Sequence, residues 1–143
     1  MAVITVNERL VKLARVDQSI PPAVSAQPLD AGTYVTQAAD GRYVPGGASG
    51  GGIVVETVLT ANAPISVLKK GILDLGPDLQ TRNPGTPVFG RPSNVSPGAL
   101  DDAATHVDGA ATINNVRIGV VEAGRGDLNG DGAAQRRYLR VEA

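Results

Sequence analysis

IVVETVLTANAPISVLKKGILDL (residues 53–75) is the stretch that decides the fold. Ile53 to Thr60 is long, β-branched and apolar, the composition of a buried strand. Asn62-Ala63-Pro64 turns the chain. Ile65 to Leu75 then reads as a second long strand, with Lys69-Lys70-Gly71 as a bulge or bend. Two such strands joined by a turn set a β framework, and the flanking sequence continues it.

Upstream, Asp30-Ala31-Gly32 is a turn before a short strand, Gly32 to Thr36. Asp40-Gly41 is a hairpin-type turn before Arg42-Tyr43-Val44, and residues 45–52 form a glycine-rich loop. Downstream, Pro77 to Pro84 is a polar loop, Thr86 to Phe89 a short strand, and Pro92 to Gly109 irregular. Asn115 to Glu122 is a strand, Gly124 to Gln135 a loop, and Arg136 to Glu142 the closing strand. The segment Leu10–Val16 fits a helix capped by Asn7 or a strand with Val11 and Leu13 facing inward; strand is preferred. Ile20-Pro21-Pro22 ends either version. A repeat is also visible. Residues 31–35 resemble residues 84–88, Val54-Val55-Glu56 resembles Val120-Val121-Glu122, and each unit runs strand, gap, strand, turn, strand. Neither half could bury its apolar face alone, so both should share one core. Ile53, Val55, Ile65, Val67, Val88, Ile118, Val120, Leu139 and Val141 are the expected core.

Composition narrows the function. Eighteen glycines and ten prolines in 143 residues demand many turns and argue against a helical bundle. Four aromatic residues leave the core to aliphatic side chains. Without cysteine there are no disulfides, zinc–thiolate sites or thiol nucleophiles, and one histidine, His106, excludes a multi-histidine metal site. A net charge of −1 gives no global basic field for nucleic acid. No apolar run reaches the ~18 residues of a membrane span, and the N-terminus lacks the features of a secretory signal. The expectation is a soluble, intracellularly made, single-domain protein that binds neither nucleic acid nor membrane.

Four motifs carry a possible chemistry. Gly47-Ala48-Ser49-Gly50-Gly51 has the G-x-S-x-G spacing of a nucleophile elbow, but no helix pattern follows and no histidine–carboxylate pair is suggested. The same loop lacks the Lys-Ser/Thr of a phosphate cradle, because Ile53 follows Gly52. Asp127, Asn129 and Asp131 with Gly132 open like a calcium loop, yet the twelfth position is Tyr138 rather than a bidentate glutamate, so a polar hairpin loop is the preferred reading. Arg125-Gly126-Asp127 spells an adhesion tripeptide and reads as a turn. Arg125, Arg136, Arg137 and Arg140 make a basic end whose arginines are expected in ion pairs across a sheet or subunit contact. His106 reads as a loop or core-edge residue. No catalytic, cofactor-binding or metal residue is assigned, and the chain is not read as an enzyme.

Residues 30–35 (DAGTYV) and 40–45 (DGRYVP) resemble the opening pattern of small capsid decoration, or cement, proteins of tailed bacteriophages. Gly52 to Glu56 with the strand at 65–75, then residues 84–89 (PGTPVF), then residues 117–122 (RIGVVE) and 138–141 (YLRV), are similar to successive tokens of that family. The resemblance implies an all-β fold, a small β-barrel or β-tulip domain with an extended N-terminal arm, that coats the outside of the capsid and ties major capsid protein subunits together, often as trimers. It implies a virion protein made in the host cytoplasm, with no cofactor. The long segments 92–115 and 124–135 depart from the shortest members.

The expected organisation is an arm at residues 1–9 and a single β domain at 10–143. The β-prone stretch Val3, Ile4, Thr5 and Val6 has no turn to fold it back, so it is the expected capsid contact, adding a strand to a capsid subunit. The alternative is another phage structural β-protein, a tail-tube or head–tail connector component, which would form rings.

Overall fold

The computed structural model describes residues 3–48, 51–92, 96–123 and 136–143, with Pro21 and Pro22 as backbone only. The fold is all-β, a curled half-barrel sheet. Its strands are β1 (Val3–Ile4), β2 (Lys12–Val24), β3 (Tyr34–Gln37), β4 (Tyr43–Pro45), β5 (Gly52–Val54), β6 (Pro64–Asp74), β7 (Pro87–Gly90), β8 (Leu100–Asp101), β9 (Thr105–Asp108), β10 (Ala111–Asn114), β11 (Val116–Ala123) and β12 (Arg137–Glu142). Glu8–Leu10 and Pro77–Thr81 are 3₁₀ turns. β9 and β10 form a separate hairpin, and the other ten strands make one sheet.

β6 organises that sheet. β2 runs antiparallel along one edge from Lys12↔Asp74 to Val24↔Pro64. β12 and β5 follow one another along the other edge, β12 opposite Lys70 to Leu73 and β5 opposite Val67 and Leu68. The sheet therefore forks at β6 into a wing β12-β11-β7-β8-β1 and a wing β5-β3-β4. The neighbour order repeats between the wings. β3 pairs with β4 and β5, and β5 with β6; β7 pairs with β8 and β11, and β11 with β12. This is the sequence repeat in space, with the β9–β10 hairpin inserted into the second unit.

The core has two parts. Tyr34, Ile53, Leu68, Leu73, Val88, Ile118, Leu139 and Val141 belong to the larger cluster, inside the curl. Val35, Val54 and Val67, the immediate neighbours of Tyr34, Ile53 and Leu68, point to the opposite face and pack with Ala23, Leu29, Tyr43 and Ile65. The β3–β5–β6 wing is thus buried on both faces, which is why its short strands read as continuous apolar runs rather than alternating ones.

Several expectations need correction. The strand read at 53–60 pairs only as Gly52–Val54; beyond it the chain leaves the sheet, and a Leu29↔Val58 bridge draws it over the second cluster while Leu59 stands 82% exposed. Leu10–Val16 divides between the 3₁₀ turn, where the Asn7 side chain accepts the Arg9 N–H at 3.1 Å, and β2. Pro21-Pro22 does not end the strand. Ile20↔Val67 and Ala23↔Ile65 leave both prolines opposite Ser66, a bulge on an edge strand, where a missing N–H is tolerated. Residues 92–109 contain β8 and β9 rather than only turns, and the polar loop at 77–84 contains the second 3₁₀ turn. Val55 and Val120 are half-buried. In β11, Ile118 is an extra residue against β7, between Arg117↔Phe89 and Gly119↔Val88. That bulge places Val121 in the core, 1% exposed, instead of Val120.

The N-terminal segment is extended, but it is not left free. Val3 pairs with Asp101 and Ile4 with Leu100. Ile4 is 2% exposed within the larger cluster.

Leu139 is fully buried between β6 and β11. Leu139→Ala should cost about 2–5 kcal/mol in a denaturant titration. The half-buried Val55→Ala should cost clearly less in the same measurement.

Candidate functional site

The expected contact residues lie at the open end of the longer wing. Val3 and Thr5 face solvent, Ile4 faces the core, and Val6 is half-buried against the backbone of Gly32. The Thr5 N–H donates to Asp78 Oδ2 at 2.6 Å, so the second 3₁₀ turn also holds this segment. A cleft of about 270 Å³ borders it, lined by Ile4, Val6, Asp30, Thr33, Pro97 and Leu100. The structure brings the four predicted residues together, but only two of them offer side chains to a partner.

Beside the cleft, a small polar network pins the first 3₁₀ turn. The Thr57 hydroxyl donates to Glu8 Oε2 at 2.7 Å and accepts the Ala31 N–H at 3.0 Å. The Thr57 hydroxyl and the Asp30 carboxyl hold Glu8 below its ordinary pKa. Asp30 is pushed up, first by its hydrogen bond to Glu8 and then by partial burial. Of the two carboxyls, Asp30 is therefore the more readily protonated.

The other predicted sites separate into two groups. Ser49 and the Arg125 to Asp131 motifs lie outside the described residues. The described arginines of the basic end are engaged within the chain. Arg136 grips Asp74 through Nε at 2.6 Å and Nη2 at 3.0 Å. Arg137 Nε donates to the Arg82 carbonyl at 3.3 Å. Arg140 Nε lies 3.2 Å from Glu142 and 3.7 Å from Glu122. Arg136 and Arg140 thus form ion pairs, as expected of the basic end, while the Arg137 bond is to a backbone carbonyl. Among the described residues, no three of His, Asp or Glu gather as a metal site.

Sequence reading missed the most deeply buried charges. Arg91 is 5% exposed and Asp101 is fully buried. Arg91 Nε and Nη2 donate to Asp101 Oδ2 at 3.1 and 2.9 Å, and Asp101 Oδ1 accepts the Ala103 N–H at 2.9 Å. The Ala103 carbonyl accepts Asn115 Nδ2 at 2.9 Å, and Asn115 Oδ1 lies 2.5 Å from His106 Nδ1. Asn115 thus requires the proton on Nδ1 of His106, which is 1% exposed on β9. This chain of bonds fastens the inserted hairpin to β8. Arg91 follows directly on β7, but no local signal marks Asp101 as its partner ten residues on.

No protein-family model, curated protein or solved structure matches the chain.

Asp101→Ala, which takes the carboxylate away from a buried guanidinium, should destabilise the fold by about 3–5 kcal/mol. Replacing both partners, Arg91→Met with Asp101→Leu, should cost less than the sum of the single changes in a double-mutant cycle.

The carboxyl pair sets a pH dependence with two opposing arms. Asp30, raised, contributes stability at low pH that is lost as pH climbs through its raised value. Glu8, lowered, contributes above its ordinary range, and that part is lost as pH falls through its lowered value. In an NMR carboxyl titration Asp30 should titrate above its ordinary value, and Glu8→Gln should bring it back down.

Proposed function

We propose that the chain is a structural protein that attaches to the outer surface of a tailed-bacteriophage capsid, in trimers, and steadies the contacts between major capsid protein subunits. The observation that carries this reading is the placement of the family-like stretches. Ala31-Gly32 forms the turn into β3, and Asp40-Gly41 the turn into β4. Residues 52–54 are β5, 87–89 begin β7, 117–122 lie in β11, and 138–141 lie in β12. Each stretch that resembles the decoration proteins is thus a strand or turn of the one sheet, in the same order.

The contact surface is the N-terminal edge. β1 ends its wing and pairs with β8 alone among the described residues. Ile4 anchors it in the core, leaving its outer backbone edge and the side chains of Val3 and Thr5 to meet a strand of a capsid subunit. Partner binding by strand addition draws affinity from main-chain hydrogen bonds, and Val3 and Thr5 add side-chain fit.

The test is co-sedimentation with purified expanded capsids of the phage whose genome encodes the chain. Val3→Lys with Thr5→Lys should weaken binding by at least tenfold, about 1.4 kcal/mol, at an unchanged melting temperature. Deleting residues 1–8 is the poorer test, because it also takes Ile4 from the core. Absence of binding by the unaltered chain, or its assembly into rings without capsids, would overturn the proposal; rings would favour a tail-tube or connector component.

A further inference from the structure

A second edge of the sheet is longer and more exposed than β1. Lys12 to Ser19 of β2 are all exposed, Leu13 at 45% and Val16 at 50%, and among the described residues nothing pairs with the outer side of this strand. A flat, open edge of this length invites uncontrolled strand addition. Three features restrict it. Ala14 and Asp17 are extra residues relative to β6, so the edge is bulged. Pro21 and Pro22 remove two donors from its C-terminal part. Three charged side chains, Lys12, Arg15 and Asp17, lie within the exposed stretch. Together they confine pairing to the short segment before the prolines.

We propose that this segment pairs with the same segment of a second copy of the chain, antiparallel and about a two-fold axis at Val16. Register selects the axis. In a two-fold antiparallel pair a residue must face its own copy, because facing side chains share one side of the sheet. Centring on Lys12, Arg15 or Asp17 sets like charges against each other. Centring on Leu13, Ala14 or Gln18 sets neither Arg15 nor Asp17 against an opposite charge within the strand. Centring on Val16 sets Arg15 against the partner's Asp17 twice, Leu13 against Ser19 and Lys12 against Ile20. Arg15 Nη2 lies 3.0 Å from Asp17 Oδ2 within one chain, so both side chains already occupy one face. Two facing copies would bring four alternating charges together on that face, with the Val16 pair on the other. The contact uses the same patch on both copies, so it closes on itself and cannot grow into a fibre. It is independent of the capsid reading and of the trimer. A two-fold contact cannot close a trimer, but it can join copies belonging to neighbouring ones.

The absence of cysteine makes the test clean, since each variant carries a single thiol. Facing Cα atoms in an antiparallel pair lie about 4.5–5.5 Å apart, within disulfide reach. Val16→Cys should therefore give a disulfide-linked pair of full-length chains under mild oxidation. Lys12→Cys should not, because its two copies would sit about 27 Å apart along the edge. Sedimentation of the unaltered protein should show reversible pairing. Arg15→Asp or Asp17→Arg alone should weaken that pairing about tenfold, and the double exchange should restore it. Equal cross-linking at positions 12 and 16, failure of the double exchange to rescue, or absence of paired chains at any concentration would each overturn the proposal.

Discussion

Everything in this domain is registered on the two hydrogen-bonding edges of β6. An eleven-residue strand normally serves one neighbour on each side. Here one edge serves β12 and β5 in succession, with Lys69 bulged out between the two pairings. The crowding shows at Gly71, which faces Val16 of β2 and Val141 of β12. A Cβ at Gly71 would lie 2.2 Å from the carbonyl oxygen of Arg15 and 2.9 Å from Leu68 Cδ1. Glycine at this position lets β2 approach β6 so closely. The same row continues through Val141 to Gly119, whose missing Cβ would sit 2.2 Å from the Arg140 carbonyl oxygen. Two glycines flanking one buried valine give the sheet a line on which it can curl.

The curl explains how a chain with four aromatic residues fills its interior. Inside it, Leu73 and Leu139 face each other across β6 and β12, with Ile118 and Val121 on the next strand. Tyr34 is the largest fully buried side chain and fills the space between the wings. Its hydroxyl donates to the Gly47 carbonyl at 3.1 Å, so its polar end is satisfied while burial raises its pKa. Its ring occupies the place a side chain would need at position 90, where a Cβ would fall 2.4 Å from Tyr34 Cδ2. Gly90 and Tyr34 are thus one packing decision made on two wings.

Much of this was legible because it is local. The β-branched runs, the Gly/Asp turns and the strand at 65–75 follow from propensity and turn chemistry within a few residues. The internal repeat was also readable, and it names the strands that occupy equivalent places in the two wings. What failed was decided at long range. Val55 to Thr60 has strand composition, but only the Val55 N–H still bonds β6, at the Ser66 carbonyl, and the Leu29↔Val58 bridge recruits the segment as a cover for the second cluster. Val120 lost its core place to Val121 through a single bulged residue, which no alternation pattern reveals. Asp101 looks like a surface turn residue until Arg91 is brought against it. The β-prone character of Val3 to Val6 was legible from composition, yet the strand that its first two residues pair with, β8, sits almost a hundred residues away and carries no strand signal of its own.

The fork also fixes how many edges the protein must manage. A closed barrel has none and a simple open sheet has two, whereas among the described residues the main sheet, branching at β6, has three: β1, β4 and β2. The first two end the wings and stay short, β1 at two residues and β4 at three with Pro45 at its end. β2 has no such freedom. It must span β6 from Asp74 to Pro64, because that strand carries both wings and would otherwise leave its whole second edge unpaired. Its length is therefore imposed from within, and its outer surface inherits the exposure. The bulges, the paired prolines and the alternating charges on β2 answer a problem that the core creates. A surface feature and a core constraint are here two consequences of the same branched strand.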